Sequence, residues 1–117
     1  MALLKVELSR FRVKPGMSRK VDEWLSFLNT HMEDTLLTLE GEKMYVESIH
    51  REVVETGEYL YWYSVQGEGG NSVQDSESEI DIKHLQYWDA CIDETYTEND
   101  IPTAVVMIPD KVRSSMK

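Results

Sequence analysis

One hairpin, spanning residues 42–68, constrains the fold of this 117-residue chain more than any other stretch. Its second arm, Tyr59–Val65, is the most aromatic segment and is apolar on both faces. One face carries Tyr59, Tyr61, Tyr63 and Val65, and the other carries Leu60 and Trp62. An antiparallel strand with one solvated face alternates apolar and polar residues. We therefore expect both faces of this arm to be covered.

Hydrophobic periodicity predicts the remaining elements. Alternating residues predict a strand over 3–13, and apolar residues three and four positions apart predict a helix over 18–39 with a joint near His31. A second helix is expected over 78–94, followed by a short strand over 103–108. The predicted order, β-α-β-β-α-β, is that of ferredoxin-like α+β domains.

This order predicts a four-stranded antiparallel sheet with two helices on one face. We expect one domain over residues 1–110 and a loose tail over 111–117. An uncovered aromatic face would be a larger apolar patch than monomers usually expose. A homodimer, with the open sheet faces packed together about a two-fold axis, covers it most simply.

The register of the hairpin depends on its turn. A three-residue loop, Glu55–Gly57, pairs odd positions with odd ones and places Ile49 beside Tyr63 and Arg51 beside Tyr61. A two-residue loop shifts this pairing by one residue and turns one arm over.

Charge and cysteine content narrow the classes of partner. The chain has 12 basic and 22 acidic residues, a formal net charge of −10. Such a surface repels nucleic acids and anionic membranes. The single cysteine, Cys91, forms no intrachain disulfide, which favours a cytoplasmic location. The N-terminal residues lack the apolar run of a signal peptide, and no stretch is as apolar as a membrane span.

Four segments carry a family resemblance. They are RVKPG at 12–16, MYVESIHRE at 44–52, YLYWYSVQ at 59–66 and HLQYWDACID at 84–93. In this order they resemble the dimeric α+β barrel superfamily, which includes antibiotic-biosynthesis monooxygenases, small haem-degrading monooxygenases and rhamnose mutarotases. The whole chain also resembles a family of short bacterial proteins known only as a domain of unknown function.

The resemblance implies a ligand site between the open sheet face and the second helix. Monooxygenase-like members carry a histidine near the middle of that helix, where this chain has His84. Trp24 and Phe27 stand where mutarotases have a tyrosine and a histidine, which argues against sugar mutarotation. Ser9 stands near the asparagine of haem monooxygenases, which argues against haem, and we expect no cofactor.

His84 is the leading candidate for chemistry. Asp81 lies three residues before it and Trp88 four after, so the three share one side of a helix. Asp81 would orient the imidazole, Trp88 would wall the pocket, and His84 would act as general base or acid. The alternative is an inert histidine at the edge of the core.

Glu47 is the second catalytic candidate, because it interrupts an apolar strand. A buried carboxylate has a raised pKa and transfers protons near neutral pH. The alternative is a solvated Glu47 or one paired with a neighbouring cation.

Five further residues are candidates for ligand binding besides Trp88. Aromatic side chains of the third strand would contact an apolar ligand, or else serve only core and dimer packing. Polar residues of the first strand are weaker candidates of the same kind. These five are Tyr61, Trp62, Tyr63, Glu7 and Ser9.

Other familiar motifs are missing from the sequence. The GEGG stretch at 67–70 lacks the lysine and hydroxyl residue of a phosphate loop and is interpreted as a flexible loop that could form a lid. No histidine lies at metal-ligand spacing, so we expect no metal. Cys91 lies in an apolar stripe, which argues against a nucleophile.

Two functions follow from these observations. The first is a small cofactor-independent enzyme, monooxygenase-like or isomerase-like, that transfers a proton on a partly apolar molecule. Here His84 is the base, and Glu47 or a tyrosine holds an oxygen substituent. The second is a non-catalytic ligand-binding or dimeric interaction module in which His84 is structural.

Overall fold

The computed structural model describes residues 3–116 as a mixed α+β protein built on a four-stranded antiparallel sheet. This coarse fold confirms the prediction. The strands are β1 (Leu4–Arg12), β2 (Met44–Val54), β3 (Gly57–Gly67) and β4 (Asp100–Ile101). The helices are α1 (Ser18–Thr30), α2 (Met32–Gly41), α3 (Glu79–Cys91) and α4 (Asp110–Arg113), with a 3-10 turn at Val73–Asp75.

The sheet has the order β2-β3-β1-β4, and every residue of β1 pairs with a residue of β3. In this ladder Phe11 lies opposite Leu60, and Ser9 lies opposite Trp62. Phe11, Leu60 and Trp62 pack in or against the core that the helices close. Because side chains alternate along a strand, odd residues of β1 and even residues of β3 face the helices. We call this side of the sheet the covered face.

The hairpin turn has two residues, so the predicted three-residue loop is wrong. Val54 pairs directly with Gly57, Ile49 with Trp62, and Arg51 with Leu60. Gly57 has φ of +142°, a backbone conformation that glycine adopts easily, and can therefore begin the strand directly. Relative to the expected pairing, β2 is shifted by one residue.

A β-bulge at the start of β2 then sets which side chains face the helices. Met44 pairs with Gln66, whereas Val46 pairs with Val65, so one extra residue lies on β2. Beyond this bulge Glu47 lies opposite Ser64. The bulge and the two-residue turn together place Glu47 on the covered face.

The core lies between the covered face and two helices. Val21 and Trp24 of α1 and Cys91 of α3 are completely buried. Their spacing of three residues on α1 gives one buried stripe, as the sequence pattern predicted. The core residues are Val13, Val21, Trp24, Leu60, Tyr87, Cys91 and Ile92.

The predicted joint near His31 is confirmed, because α1 ends at Thr30 and α2 begins at Met32. The two helices meet the rest of the chain differently. Helix α1 has two buried residues, Val21 and Trp24, whereas α2 contains no buried residue. Helix α2 is therefore the more loosely packed cover of the sheet. None of the helices in residues 3–116 is both long and apolar enough to cross a lipid bilayer.

The predicted strand over 103–108 is wrong. Strand β4 contains only Asp100–Ile101, and the chain then runs without regular structure to residue 109. Pro102 has no N–H to donate to a ladder, which explains why pairing stops there. Val105 and Met107 are 70% and 86% exposed. Where the sequence suggested only a tail, residues 110–113 form α4.

The opposite side of the sheet, which we call the open face, carries Val46, Ser48, His50, Glu52 and Val54 of β2 and the tyrosines of β3. Val46, Val54 and Tyr63 are exposed there. The Tyr61 hydroxyl donates to Glu52 at 2.8 Å, and Ser48 contacts His50 at 2.9 Å. This face therefore combines apolar surface with paired polar groups.

Candidate functional site

A cavity of about 370 Å³ lies between the covered face and the helices α1, α2 and α3. Its apolar wall is formed by Leu25, Leu28, Met32, Leu36, Leu39, Ile49 and Ile80. Its polar end carries Glu42, Glu47, Asp81 and His84. We call this space the inner cavity. Ligand pockets are typically of this kind, mostly apolar with a few convergent polar groups.

A wider cleft of about 880 Å³ adjoins the inner cavity. Both spaces are lined by Glu42, Glu47, Trp62, Val73 and His84. The outer cleft also reaches Glu7, Ser9, Phe11 and Trp88. The shared residues therefore stand where a molecule entering from the cleft would meet the cavity.

His84 is held by a buried tryptophan. The indole Nε1–H of Trp24 donates to Nδ1 of His84 at 3.0 Å. Trp24 is completely buried, and an indole nitrogen is only a donor. Nδ1 therefore accepts, and the proton of the neutral imidazole is on Nε2. Asp81, which the sequence suggested as the orienting group, does not supply this hydrogen bond.

The protonation of His84 follows from its surroundings. Burial lowers the pKa of His84, and the nearby carboxylate of Asp81 only partly opposes this effect. The side chain is therefore neutral at pH 7 and offers Nε2–H as a hydrogen-bond donor. In this arrangement Nδ1 accepts from Trp24 and Nε2 carries the proton, so the imidazole is set to donate a hydrogen bond.

Glu47 is held by a second tryptophan. The Nε1–H of Trp62 donates to Oε2 of Glu47 at 3.0 Å, and the Trp62 ring centroid lies 5.8 Å from that of His84. Burial of the carboxyl group raises the pKa of Glu47, the Trp62 hydrogen bond lowers it, and Asp81 adds a smaller upward effect. The residue as a whole is exposed at the rim, and its carboxyl group has a raised pKa because that group is the less accessible part.

Glu42, which sequence reasoning missed, joins this group at the C-terminal end of α2. Burial, which is the largest cause, raises the pKa of Glu42 to about 7. Repulsion from the carboxylates of Asp81 and Glu47 adds to this rise. Its position just after Gly41 carries no periodic signal, because the residue belongs to neither the helix stripe nor the strand. The sequence offers no pattern from which this role could be found.

The loop over 68–78 closes against the same residue. Asn71 N–H donates to the Gly41 carbonyl at 2.9 Å. A Cβ on Gly70 would lie 2.0 Å from the backbone oxygen of Glu42, so only glycine fits at this close approach. The GEGG stretch is therefore packed against the rim of the site through Gly70.

Asp81 is buried beside these groups. It is 6% exposed and borders the inner cavity from the first turn of α3. Within residues 3–116, no side chain or backbone N–H forms a hydrogen bond or ion pair with its carboxylate. Asp81, Glu42 and Glu47 thus form an acidic group beside a neutral histidine.

The structure brings some predicted site residues together and separates others. His84, Glu47 and Trp62 meet at the mouth of the inner cavity, and Trp88, Glu7 and Ser9 line the outer cleft. Tyr61 and Tyr63 lie on the open face, away from this site. The inner cavity thus lies between the covered face and the helices, whereas the family resemblance implied a site between the open sheet face and the second helix.

Ser9 already has a partner, because its hydroxyl donates to Asp100 of β4 at 3.5 Å. No group of three or more histidine, cysteine, aspartate or glutamate side chains in residues 3–116 has the geometry to hold a metal ion. The site therefore consists of carboxyl groups, one imidazole and indole rings.

Comparison with known proteins yields one match. The model of a family described as "Family of unknown function (DUF6176)" matches residues 4–114. No curated protein and no solved structure matches the chain.

Proposed function

We propose that this chain, which belongs to the DUF6176 family of unknown function, is a cofactor-independent enzyme for proton transfer on a small, partly apolar molecule. One observation carries the proposal: two indole N–H groups hold Glu47 and His84 at the mouth of an apolar cavity of about 370 Å³. Perturbed carboxyl and imidazole groups in such a cavity are typical of acid–base sites.

The two residues take complementary roles. Glu47, in its ionised form, removes a proton from carbon next to a substrate carbonyl, and Nε2–H of His84 donates a hydrogen bond to the carbonyl oxygen. As the C–H bond breaks, its electron pair moves to that oxygen, and the donor stabilises the resulting enolate. Return of the proton to the same carbon gives exchange. In a substrate with a β,γ double bond, the electron pair also reaches the γ carbon, and return of the proton from Glu47 to that carbon moves the double bond and completes an isomerisation without any further reactant.

Glu42 supports this chemistry as a second carboxyl group. Its pKa of about 7 allows it to exchange protons with solvent at neutral pH. Since Glu42 lines both the inner cavity and the outer cleft, it is placed to relay protons between Glu47 and water.

Deuterium exchange tests the proposal. Phenylacetone and related aryl ketones are incubated with the protein in D2O, and loss of the α-proton signal is followed by NMR. We expect exchange above the uncatalysed rate for the wild type and near-background exchange for Glu47→Gln. A wild type no faster than Glu47→Gln across such ketones would contradict the enzyme proposal. Binding without exchange would favour the ligand-binding alternative.

For the assembly, we propose a homodimer of ferredoxin-like protomers arranged as a dimeric α+β barrel. The order β2-β3-β1-β4, with helices on one side, is compatible with that architecture. The open face supports the dimer because Val46 and Tyr63 are 40% and 36% exposed in the isolated protomer. Light scattering that gave a stable monomer at micromolar concentration would contradict it.

A cytoplasmic location is part of the same proposal. Cys91 is buried, and burial raises the pKa of its thiol. A single buried thiol suits a compartment in which cysteines stay reduced.

A further inference from the structure

We propose that the ligand of the inner cavity carries a protonated amine, which Asp81 binds, on an apolar body that fills the leucine-rich wall. This inference rests on the proposed function in one respect, namely that the inner cavity is where the small molecule binds. It adds the chemical class of that molecule.

The charge of the site is the first argument. Neither the inner cavity nor the outer cleft is lined by a lysine or an arginine. The carboxyl groups around these spaces are those of Glu42, Glu47 and Asp81 and, in the outer cleft, Glu7, Asp89 and Glu94. A cleft lined by one sign of charge concentrates ligands of the opposite sign. The carboxylates would repel an anionic substrate, and neither space offers a lysine or arginine to pair with it.

Asp81 provides the second argument. Its side chain is almost fully buried and borders the cavity, yet no donor within residues 3–116 satisfies its carboxylate. Among residues 3–116 its oxygens are not fully buried atoms without a partner, so the carboxylate still reaches accessible space at the cavity. A polar group in such a position is satisfied by what enters the cavity. Trp24 has already taken the hydrogen bond to His84 that Asp81 was expected to make. The carboxylate is therefore left free for a ligand.

Aromatic rings provide a third, independent argument. Elsewhere the protein's own cations occupy its ring faces, since Arg10 lies 5.7 Å from the ring of Tyr59 and Lys20 lies 5.2 Å from that of Tyr87. Within residues 3–116, no lysine or arginine lies over Trp62 or Trp88. Indole is the ring that attracts cations most strongly. These two rings at the outer cleft therefore suit a cationic ligand on its way to Asp81.

The shape of the cavity defines the rest of the ligand. Most of the side chains in its wall are apolar, and its volume of about 370 Å³ is at the small end of the range for ligand pockets. The absence of a metal-binding cluster in the described residues disfavours a bare divalent cation. An ammonium group on a short hydrocarbon chain or ring matches both ends of the space.

Three probes with six-carbon chains test the inference by calorimetry and NMR titration: hexylamine, 1-hexanol and hexanoate. The titrations are made at an ionic strength of about 0.15 M, where attraction by distant surface charge is screened. We expect hexylamine to bind about tenfold more tightly than 1-hexanol, since hydrogen bonds between charged groups are stronger than those to a neutral hydroxyl. Hexanoate should bind most weakly.

Asp81→Asn should weaken hexylamine about tenfold and leave 1-hexanol unchanged. The matched control is Asp110→Asn, which alters an exposed aspartate in the first turn of α4 and should change neither. Equal binding of amine and alcohol by the wild type would overturn the inference while leaving the cavity as a ligand site. That comparison needs no variant, so it stands even if Asp81→Asn fails to fold.

Unchanged hexylamine affinity in a folded Asp81→Asn protein would also overturn the inference, as would preferential binding of hexanoate. If none of the three probes binds at millimolar concentration, both the inference and the proposed ligand site fail. The outcomes thereby separate a wrong ligand class from a wrong site.

Discussion

The two faces of the sheet use aromatic side chains in opposite ways. On the open face Tyr61 donates to Glu52, and both groups are at the surface. On the covered face its neighbour Trp62 donates to Glu47, whose carboxyl group shares a cavity with Asp81 and His84. One strand therefore carries two similar ring-to-carboxylate contacts in different environments. Aromatic content does not mark the site; incompletely paired polar groups beside an apolar wall do.

The largest expected difference between the faces is in stability. Trp24→Ala removes a completely buried ring and should lower the free energy of unfolding by about 3–5 kcal/mol. Val54→Ala, on the open face, should change it by about 0.5 kcal/mol or less. Chemical denaturation measures both values. Similar losses for the two variants would show that the covered face is not the main core.

The matched carboxylates give the next comparison. Glu47→Gln should reduce ketone exchange about 100-fold, because a positioned general base contributes about 10²–10⁴ in rate. Glu52→Gln removes the equivalent carboxylate beside Tyr61 and should leave the exchange rate unchanged. Deuterium exchange measured at equal protein concentration checks both. Equal losses would place the chemistry elsewhere.

Assembly offers a third comparison. Tyr63→Lys places a charge on the open face and should weaken the dimer at least about tenfold, since burying an unpaired charge is costly. Leu37→Lys makes the same kind of change at a side chain that is 65% exposed on α2. It should leave the molar mass of the assembly in solution unchanged. Light scattering over a dilution series measures both. A Tyr63→Lys protein that stays dimeric would move the interface away from this face.

The smallest expected effect is a pH dependence of stability from Glu42. Its folded-state pKa of about 7 is above the ordinary value of 4.5, so the folded protein binds a proton more tightly than the unfolded chain. Stability contributed by this protonation is complete below pH 4.5 and is lost as the pH rises to 7 and above. The carboxylates of Asp81 and Glu47 face Glu42 and repel its charged form, and His84 lines the same cavity.

Glu42→Gln should therefore gain stability relative to the wild type between pH 5 and pH 8. We expect a gain of about 1 kcal/mol, a value reduced because solvent reaches and screens this half-buried group. Thermal melts across that pH range measure it. Glu55→Gln, at the exposed hairpin turn, is the control. A difference between wild type and Glu42→Gln that stays constant with pH would contradict the assignment.

Local patterns predicted the strands and helices of the core, because period-two and period-3.6 spacing reflect burial directly. Such patterns could not determine the register of the hairpin, because Glu55–Gly57 is compatible with loops of two or three residues. This single shift explains the main error at the site: the expected register placed Tyr63 beside Ile49 and Tyr61 beside Arg51. The actual register places Trp62 and Leu60 at these positions.

Two other features depended on contacts between distant parts of the chain. Trp24 was recognisable as an apolar helix residue, but the hydrogen bond from its indole reaches His84, 60 positions away. The strand expected over 103–108 has β-branched residues, yet Pro102 ends the ladder before it begins. The apolar character of these residues could be predicted from the sequence, whereas their hydrogen-bond and strand partners could be identified only in the tertiary structure.

The three tryptophans of the chain lie in one cluster. Trp24, Trp62 and Trp88 have ring centroids 5.4–6.1 Å apart, and two of the three indoles bond the catalytic candidates. Indole emission from this protein therefore arises at a single cluster, which borders the inner cavity through Trp62. Protonation of His84, ionisation of Glu47 or arrival of a ligand should each change its intensity or colour, so the native molecule reports optically on its own site without a label.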